Sequence, residues 1–405
     1  MGRPITIRCR SSLLPACFSG LILVLLIAGC NSTQVVKANS QPAIKSDRIL
    51  EADEILEIGI VPLDPNIPQT EEAQREALIT PEVRRAEGLY LAYHLKDTLE
   101  KTGNWGAVRV VPAPAATVDI TVTGTLYTSD GEILEAELGA TDSTGRVWLE
   151  KSYKDNASKF TYELPEEDPF QDFYNRFAND LLAVRDKLKK SELREIKTVS
   201  GISYARDLSP DAFAGYIEEK SGRKTVRQLP AVDDPMIARI QRIKDKDYLF
   251  VDTLDEFYGK FYKDMKAPYH DWREYTYEEA INLRRIQEQA RNKLLTGAAL
   301  IAGGLYAGSR SENWAEHAAA MGAVTGGIGA VMSGMSRQQE AEIHAQSLKE
   351  ISESLASEIS PLVFEVEGHQ VELKGTIEGQ YEQWRQILRE IYAEETGLPV
   401  NSQAP

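Results

Sequence analysis

The sequence predicts an α+β protein, in which an N-terminal α/β sandwich domain precedes a mainly helical region with a glycine-rich helical hairpin and a small C-terminal ββα unit. Three observations lead to this class. Apolar and polar residues alternate in several segments of residues 54–160, and a period of two is typical of strands. Helical spacing of apolar residues prevails in residues 191–293. Two uncharged, glycine-rich runs then follow, and a short alternating hairpin precedes the last helix.

Residues 1–29 have the organisation of a secretory signal peptide. Three arginines precede an uncharged apolar stretch, and the small pair Ala28-Gly29 precedes Cys30. This ending resembles the lipobox of bacterial lipoproteins, which implies cleavage after Gly29 and lipidation of Cys30. An uncleaved transmembrane anchor is the alternative, but the apolar run is shorter than the roughly 20 residues that a spanning helix needs. Lipoproteins held at the inner membrane have Asp after the cysteine, so Asn31 favours the outer membrane, and we expect its periplasmic face.

The composition of the processed chain excludes several functions. Removing residues 1–29 leaves 376 of 405 residues and changes the net charge from −16 to −19, because three arginines are lost. A chain this acidic is repelled by phosphate backbones, so we expect no nucleic-acid partner. Cys9 and Cys17 leave with the signal peptide, and Cys30 is committed to lipid. Disulfides, thiol catalysis and cysteine-based metal sites are therefore excluded, and nothing in the sequence calls for a cofactor.

Residues 30–53 are polar and are predicted to form a flexible tether, and residues 54–190 are predicted to form the α/β domain. The predicted order of elements is β-α-β-β-β-β-α. Thr80-Pro81 is expected to begin the first helix, and Asp168-Pro169 to cap the second, with Gln171 in the capping-box position. The predicted strands are residues 56–61, 108–111, 119–127, 133–140 and 147–153.

The strands of this domain carry a family resemblance. The segments ILEIGIVPL, LEKTGNWGAVRVV and VDITVTGTLYTSDGEILEAELGATDSTGRVWLEKSY resemble the domain shared by curli-secretion channel lipoproteins and the amino-terminal part of the Tol-system propeller protein. The features that carry this resemblance are a strand of the form (A/V)D-x-x-V-x-G, here residues 118–124, and a turn between Asp142 and Gly145. The resemblance covers about 100 residues and implies the fold of this domain.

Residues 191–293 are predicted to be mainly helical. Ser209-Pro210 and Asp234-Pro235 have the form of helix starts, and so does Thr276, with Glu279 three residues later. Aromatic residues are dense between Tyr248 and Tyr277. We expect them to pack helices together, and the alternative is a groove for a partner peptide or glycan.

Residues 294–336 are predicted to form a glycine-rich helical hairpin. Uncharged runs occupy residues 294–309 and 317–336. Glycine inside a helix costs about 1 kcal/mol relative to alanine, so repeated glycines indicate close packing. The hairpin resembles the glycine-zipper segments of some outer-membrane lipoproteins. It could associate with a membrane, pack as a soluble hairpin within an oligomer, or form a loop. The residues predicted to make membrane or oligomer contacts are Gly297, Gly304, Gly308, Gly322, Gly326 and Gly334.

Residues 337–405 are predicted to comprise a charged amphipathic helix and a ββα unit that docks elsewhere on the chain or on a neighbouring subunit. No histidine has metal-binding spacing, and the chain lacks a nucleophile elbow and a phosphate loop. The sequence therefore predicts a non-enzymatic outer-membrane lipoprotein that is a structural or assembly component of a cell-envelope complex. Its partners would be the membrane, through the N-terminal lipid, and other envelope proteins or further copies of itself. One alternative is an envelope glycan hydrolase that uses carboxylates of residues 200–290, with Glu218-Glu219 and Glu278-Glu279 as candidates. Another is a pore-forming or membrane-perturbing protein that uses the glycine-rich hairpin.

Overall fold

A computed structural model describes residues 41–52, 54–76, 79, 81–114, 117–163, 167–231, 234–306, 362–366, 369–373 and 377–397. A mixed sheet with strand order β2-β1-β3-β4-β5 forms the centre of its N-terminal half. β1 lies parallel to β2 and β3, and β3, β4 and β5 form an antiparallel meander. All five predicted strands are confirmed, and the last three run two or three residues further than predicted. The strands are β1 (Ile58–Ile60), β2 (Val108–Val110), β3 (Ile120–Ser129), β4 (Ile133–Asp142) and β5 (Val147–Asn156).

The two longer helices of this half pack on the sheet, in agreement with the predicted combination of helices and strands. The short helix α1 (Glu71–Glu76) precedes α2 (Pro81–Thr102), and the four-residue helix α3 (Lys159–Tyr162) precedes α4 (Gln171–Arg185). Strand residues that point to α2 and α4, such as Val122 and Leu138, are fully buried. Burying a large apolar side chain contributes about 1.5–3 kcal/mol, so this layer stabilises the domain. The opposite face of β3 carries Thr123, Thr125 and Tyr127, and Tyr127 is 46% exposed.

Residues 41–52 are docked, which corrects the prediction of a flexible tether over residues 30–53. The backbone N–H of Ile44 donates to Asn179 Oδ1 at 2.8 Å, and Asn104 Nδ2 donates to the Ile44 carbonyl at 2.7 Å. The N–H of Ser46 donates to the Thr102 carbonyl at 2.8 Å. We call residues 41–52 the strap. Residues 30–40 lie outside the described residues. The strap escaped prediction because it is held through its backbone, which leaves no apolar pattern.

The helical region begins with α5 (Lys190–Leu208) and the short helix α6 (Pro210–Phe213), and it also contains a β-hairpin that was not predicted. The hairpin pairs β6 (Ile217–Lys220) with β7 (Arg223–Val226). Its turn residues Ser221 and Gly222 have φ values of 51° and 75°, the left-handed conformation that tight hairpin turns require. The N–H of Lys224 donates to the Thr144 carbonyl at 2.8 Å, so this hairpin docks on the β4–β5 turn.

A single helix, α7 (Pro235–Tyr306), occupies the centre of the helical region. The predicted helix start at Asp234-Pro235 is confirmed, whereas the one at Thr276 is wrong. Thr276 Oγ1 donates to the carbonyl of Trp272 at 2.9 Å, an internal bond of a continuing helix. α7 also continues past the predicted boundary between residues 293 and 294. At 1.5 Å per residue its 72 residues span about 108 Å.

The C-terminal ββα unit is present as predicted, with β8 (Leu362–Val366), β9 (His369–Leu373) and α8 (Ile377–Thr396). α8 docks on α7 and α5 of the same chain. The Trp384 ring stacks on Phe250 with 5.2 Å between centroids, and Arg385 forms a buried ion pair with Asp247. The amphipathic helix predicted from residue 337 to residue 359 lies outside the described residues.

Candidate functional site

Most of the site residues predicted from sequence fall outside the described part of the chain. Gly297 and Gly304 lie on α7, twelve and nineteen residues beyond Arg285. The other predicted residues lie outside the described residues. These residues are Cys30, Gly308, Gly322, Gly326 and Gly334.

The structure instead reveals a buried polar network where α7 crosses α2 and the start of α4. We call this network the α7 clasp. Its centre is the ion pair between Arg273 on α7 and Asp168, with 2.9 Å between Nη2 and Oδ2 and at most 3% of either side chain exposed. Burial alone would raise the pKa of the Asp168 carboxyl, but the charge and hydrogen bonds of Arg273 hold this pKa at about 2. Asp168 therefore stays charged, although it is buried.

Glu87 forms the second centre of the α7 clasp. Its carboxylate lies 3.1 Å from Arg84 Nε and accepts hydrogen bonds from Ser129 Oγ at 2.7 Å and Tyr269 Oη at 2.8 Å. Burial raises the pKa of Glu87 despite these partners. The contacts join α2, the end of β3 and α7, so three elements depend on one carboxyl group.

Backbone contacts hold α7 against the tip of the β3–β4 hairpin. A Cβ atom at Gly131 would overlap the backbone of Arg273 and Tyr277, so this approach requires glycine. Tyr162 Oη donates to the Gly131 carbonyl at 2.5 Å. Further along α7, Arg284 forms ion pairs with Asp130 and Glu132. The hairpin tip and α7 are thus joined by close packing and by charge.

His94 is held neutral within the α7 clasp. Gln171 uses its side-chain amide hydrogens on Thr98 and Asn175, which leaves Oε1 to accept from His94 Nε2–H at 2.9 Å. Nδ1 then accepts from Tyr262 Oη at 2.6 Å. Burial lowers the pKa of His94, although the charge of Asp168 opposes the shift. The predicted capping role of Gln171 is wrong, because its side chain belongs to this network and Phe170 holds the N-cap position.

His94 predicts a pH dependence of stability. An unfolded histidine binds a proton near its ordinary pKa of about 6.5, whereas the folded protein resists protonation of His94. The stability that neutral His94 provides is therefore present above pH ~6.5 and is lost as the pH falls below it. We expect His94→Gln to flatten the fall in unfolding free energy between about pH 7.5 and 5.5, by up to ~1.4 kcal/mol per pH unit.

Urea unfolding of both proteins at several pH values measures this difference. Glu87 contributes with the opposite sign, since its raised pKa favours the folded protein at low pH, but it is present in both proteins and cancels in the comparison. Equal pH slopes for the two proteins would contradict the assignment of His94.

The chemistry of the α7 clasp suits mechanical joining better than catalysis. Its carboxylates are buried to 3% exposure or less and are already bonded to arginine, tyrosine and serine. Glu218 and Glu219, two of the carboxylates considered for hydrolysis, lie next to each other on β6 rather than on a helix. Neighbouring strand residues point to opposite faces, so this pair does not face across a cleft. Among the described residues, no cluster of His, Cys, Asp or Glu has the arrangement of a metal site.

Most of the aromatic residues between Tyr248 and Tyr277 are core residues, as the packing interpretation predicted. Phe250, Tyr258, Phe261, Tyr269 and Trp272 are each at most 5% exposed. These rings pack α7 against the rest of the protein. Within the described residues, no helix combines the length and apolarity that crossing a membrane requires.

The sequence carried a partial signal of the α7 clasp. Arg84 and Glu87 share a helical face with Leu91 and Leu95, and charged residues on an apolar face are expected to be paired. Arg273 lies four residues after Tyr269 on the buried side of α7. Their partners could not be identified, because Asp168 and Arg273 are 105 residues apart.

Comparisons with known proteins do not assign the chain to a family. No family model and no curated protein matches the chain. Among solved structures, the chain is similar to the dodecamer of a PelC point variant from Paraburkholderia phytofirmans, with 15% sequence identity and a TM-score of 0.21. The match covers 35% of this chain and 94% of that chain. A TM-score this low does not establish a shared fold, assembly or function.

Proposed function

We propose that this chain is a non-enzymatic lipoprotein of the outer membrane that serves as a structural or assembly component of a cell-envelope complex. The observation that carries the proposal is the α7 clasp, which joins the α/β domain to a helix of about 108 Å. Such a body can hold partners at a fixed spacing. The lipobox ending at Cys30 supports the location, and Asn31 supports the outer membrane.

Acylation is the first test of this proposal. The full chain is expected to incorporate labelled palmitate and to lose residues 1–29, whereas Cys30→Ser is expected to incorporate none and to retain them. Cys17→Ser is the matched control, because it changes a cysteine within the removed segment and should leave labelling intact. Labelling of the Cys30→Ser protein would contradict lipid anchoring at this residue.

Assembly is the second test. The acylated protein, extracted in mild detergent, is expected to have a native mass above that of one chain, or to cross-link to other envelope proteins. Native mass spectrometry after chemical cross-linking measures both properties. A strictly monomeric particle without cross-linked partners would count against an assembly role while leaving the lipid anchor intact.

A further inference from the structure

We infer that one end of the folded domain faces the membrane, and that this end carries the tip of the β3–β4 hairpin and the start of α4. We call it the hairpin end, and it is defined by Asp130, Gly131 and Asp168. The inference rests on the proposed lipid anchor at Cys30. It adds an orientation, which lipidation alone does not provide, because a flexible tether would let the domain rotate freely.

The strap determines where the chain leaves the domain. The N–H of Gln41 donates to Asp172 Oδ1 at 3.3 Å, and that of Ile44 donates to Asn179 Oδ1 at 2.8 Å. Three extended residues span about 10 Å, and the seven helical residues between the two acceptors span ~10.5 Å. The strap therefore runs alongside α4 in the same direction, and the preceding chain departs near the first turn of α4.

The first turn of α4 lies at the hairpin end. Asp168, four residues before Asp172, is paired with Arg273, and Gly131 packs on the backbone of that same arginine. Cys30 is eleven residues before Gln41. A chain of eleven residues reaches at most about 40 Å, so the acyl chains must enter the bilayer within that distance of Gln41.

The long helix runs toward the same end of the domain. Near the start of α7, Tyr248 Oη donates to the Thr117 carbonyl at 3.0 Å, close to where β3 begins. Tyr269 contacts Ser129 at the end of β3, and Arg284 pairs with Asp130 in the hairpin. α7 therefore runs parallel to β3 toward the hairpin. It continues 22 residues beyond Arg284 to Tyr306, about 33 Å, which is similar to the maximum reach of the eleven residues from Cys30 to Gln41.

The charges on this last part of α7 fit a lipid surface. The segment that follows Arg284 contains Arg285, Arg291 and Lys293 but a single acidic residue, Glu288, and no charged residue then occurs up to Tyr306. The chain as a whole has a net charge of −16. Anionic headgroups would repel most of such a protein but attract this basic segment, by about 1 kcal/mol for each Lys or Arg near the surface.

Energy transfer to a labelled bilayer tests the orientation. Leu249→Cys and Glu274→Cys place a donor dye at two exposed positions of α7 that are 25 residues, or about 38 Å, apart. The thiol of Cys30 is acylated in the mature protein, so each variant has one reactive thiol. The acylated proteins are reconstituted in liposomes of phosphatidylethanolamine and phosphatidylglycerol that contain an acceptor lipid. We expect the dye at residue 274 to show at least about twofold more transfer, because it lies nearer the hairpin end.

Weakening the strap should loosen the orientation but not remove the anchor. The double variant Asn104→Ala/Asn179→Ala deletes three hydrogen bonds to Pro42 and Ile44. It is expected to reduce the difference between the two dye positions, whereas Asn156→Ala, at an exposed position on β5, should not. Equal transfer from both positions in the parent protein, or greater transfer from residue 249, would overturn the orientation. A protein that carries no acyl chain and does not sediment with liposomes would overturn the proposed anchor itself, which is a distinguishable result.

Discussion

Replacing Arg273 with methionine is expected to lower the free energy of unfolding by about 3–5 kcal/mol. The substitution leaves the Asp168 carboxylate, 3% exposed, without its cationic partner in the interior of the α7 clasp. Removing one member of a buried ion pair is this costly because the remaining charge stays desolvated. Chemical denaturation of the full chain, followed by circular dichroism, measures the loss.

Two further variants test the cause of that loss. Lys151→Met removes a surface ion pair with Asp180, whose members are 56% and 36% exposed, and should cost less than about 1 kcal/mol. The double variant Asp168→Leu/Arg273→Met should recover part of the stability, because it leaves no unpaired charge. Equal losses for Arg273→Met and Lys151→Met would show that the buried pair does not hold α7 in place.

Replacing Arg385 with methionine is expected to release α8 from the long helix. Asp247 is fully buried, and it would keep a hydrogen bond from Trp384 Nε1 at 3.2 Å but lose the cation that neutralises it. The expected cost is again about 3–5 kcal/mol. It should be concentrated at the C-terminal end of the chain, since the central sheet lies outside this contact. Hydrogen exchange should therefore accelerate in α8 while the amides of β3 and β4 remain protected.

Arg242→Met is the matched control for this prediction. Arg242 also joins α7 to α8, through Glu395 at 3.2 Å, but its side chain is 58% exposed. We expect its loss to change stability by less than about 1 kcal/mol and to leave the exchange of α8 unchanged. If the two arginine variants were equally destabilised, burial would not be the reason for the strength of the Asp247 contact.

The sheet could be predicted because its signals are local. Alternation in β3, such as Ile120, Val122 and Leu126 with threonines between them, specifies both the strand and its buried face within ten residues. The turns between the strands have equally local signatures. The small β6–β7 hairpin was missed, although its turn residues Ser221-Gly222 are a turn signal, because its strands have only four residues each.

The long helix and its contacts were harder to predict, for two physical reasons. A threonine followed by a glutamate three residues later resembles a capping box, yet inside a helix the Thr276 hydroxyl bonds equally well to the preceding turn. The α7 clasp depends on pairs such as Asp168 and Arg273, whose proximity follows from the tertiary fold. Burial of Glu87 was detectable from the spacing of its apolar neighbours, but its partners on β3 and α7 were not.

The strap has a consequence for the order of events in folding. Its backbone donors at Gln41 and Ile44 meet acceptors that are 131 and 135 residues later in the chain. Closing a loop of that length costs entropy that only a preformed binding surface can offset, and such non-local contacts form slowly. We therefore expect residues 41–46 of the strap to reach their native position late, after β5 and α4 have assembled. Refolding monitored by pulsed hydrogen exchange should show Ile44 and Ser46 gaining protection after Val122 and Leu138.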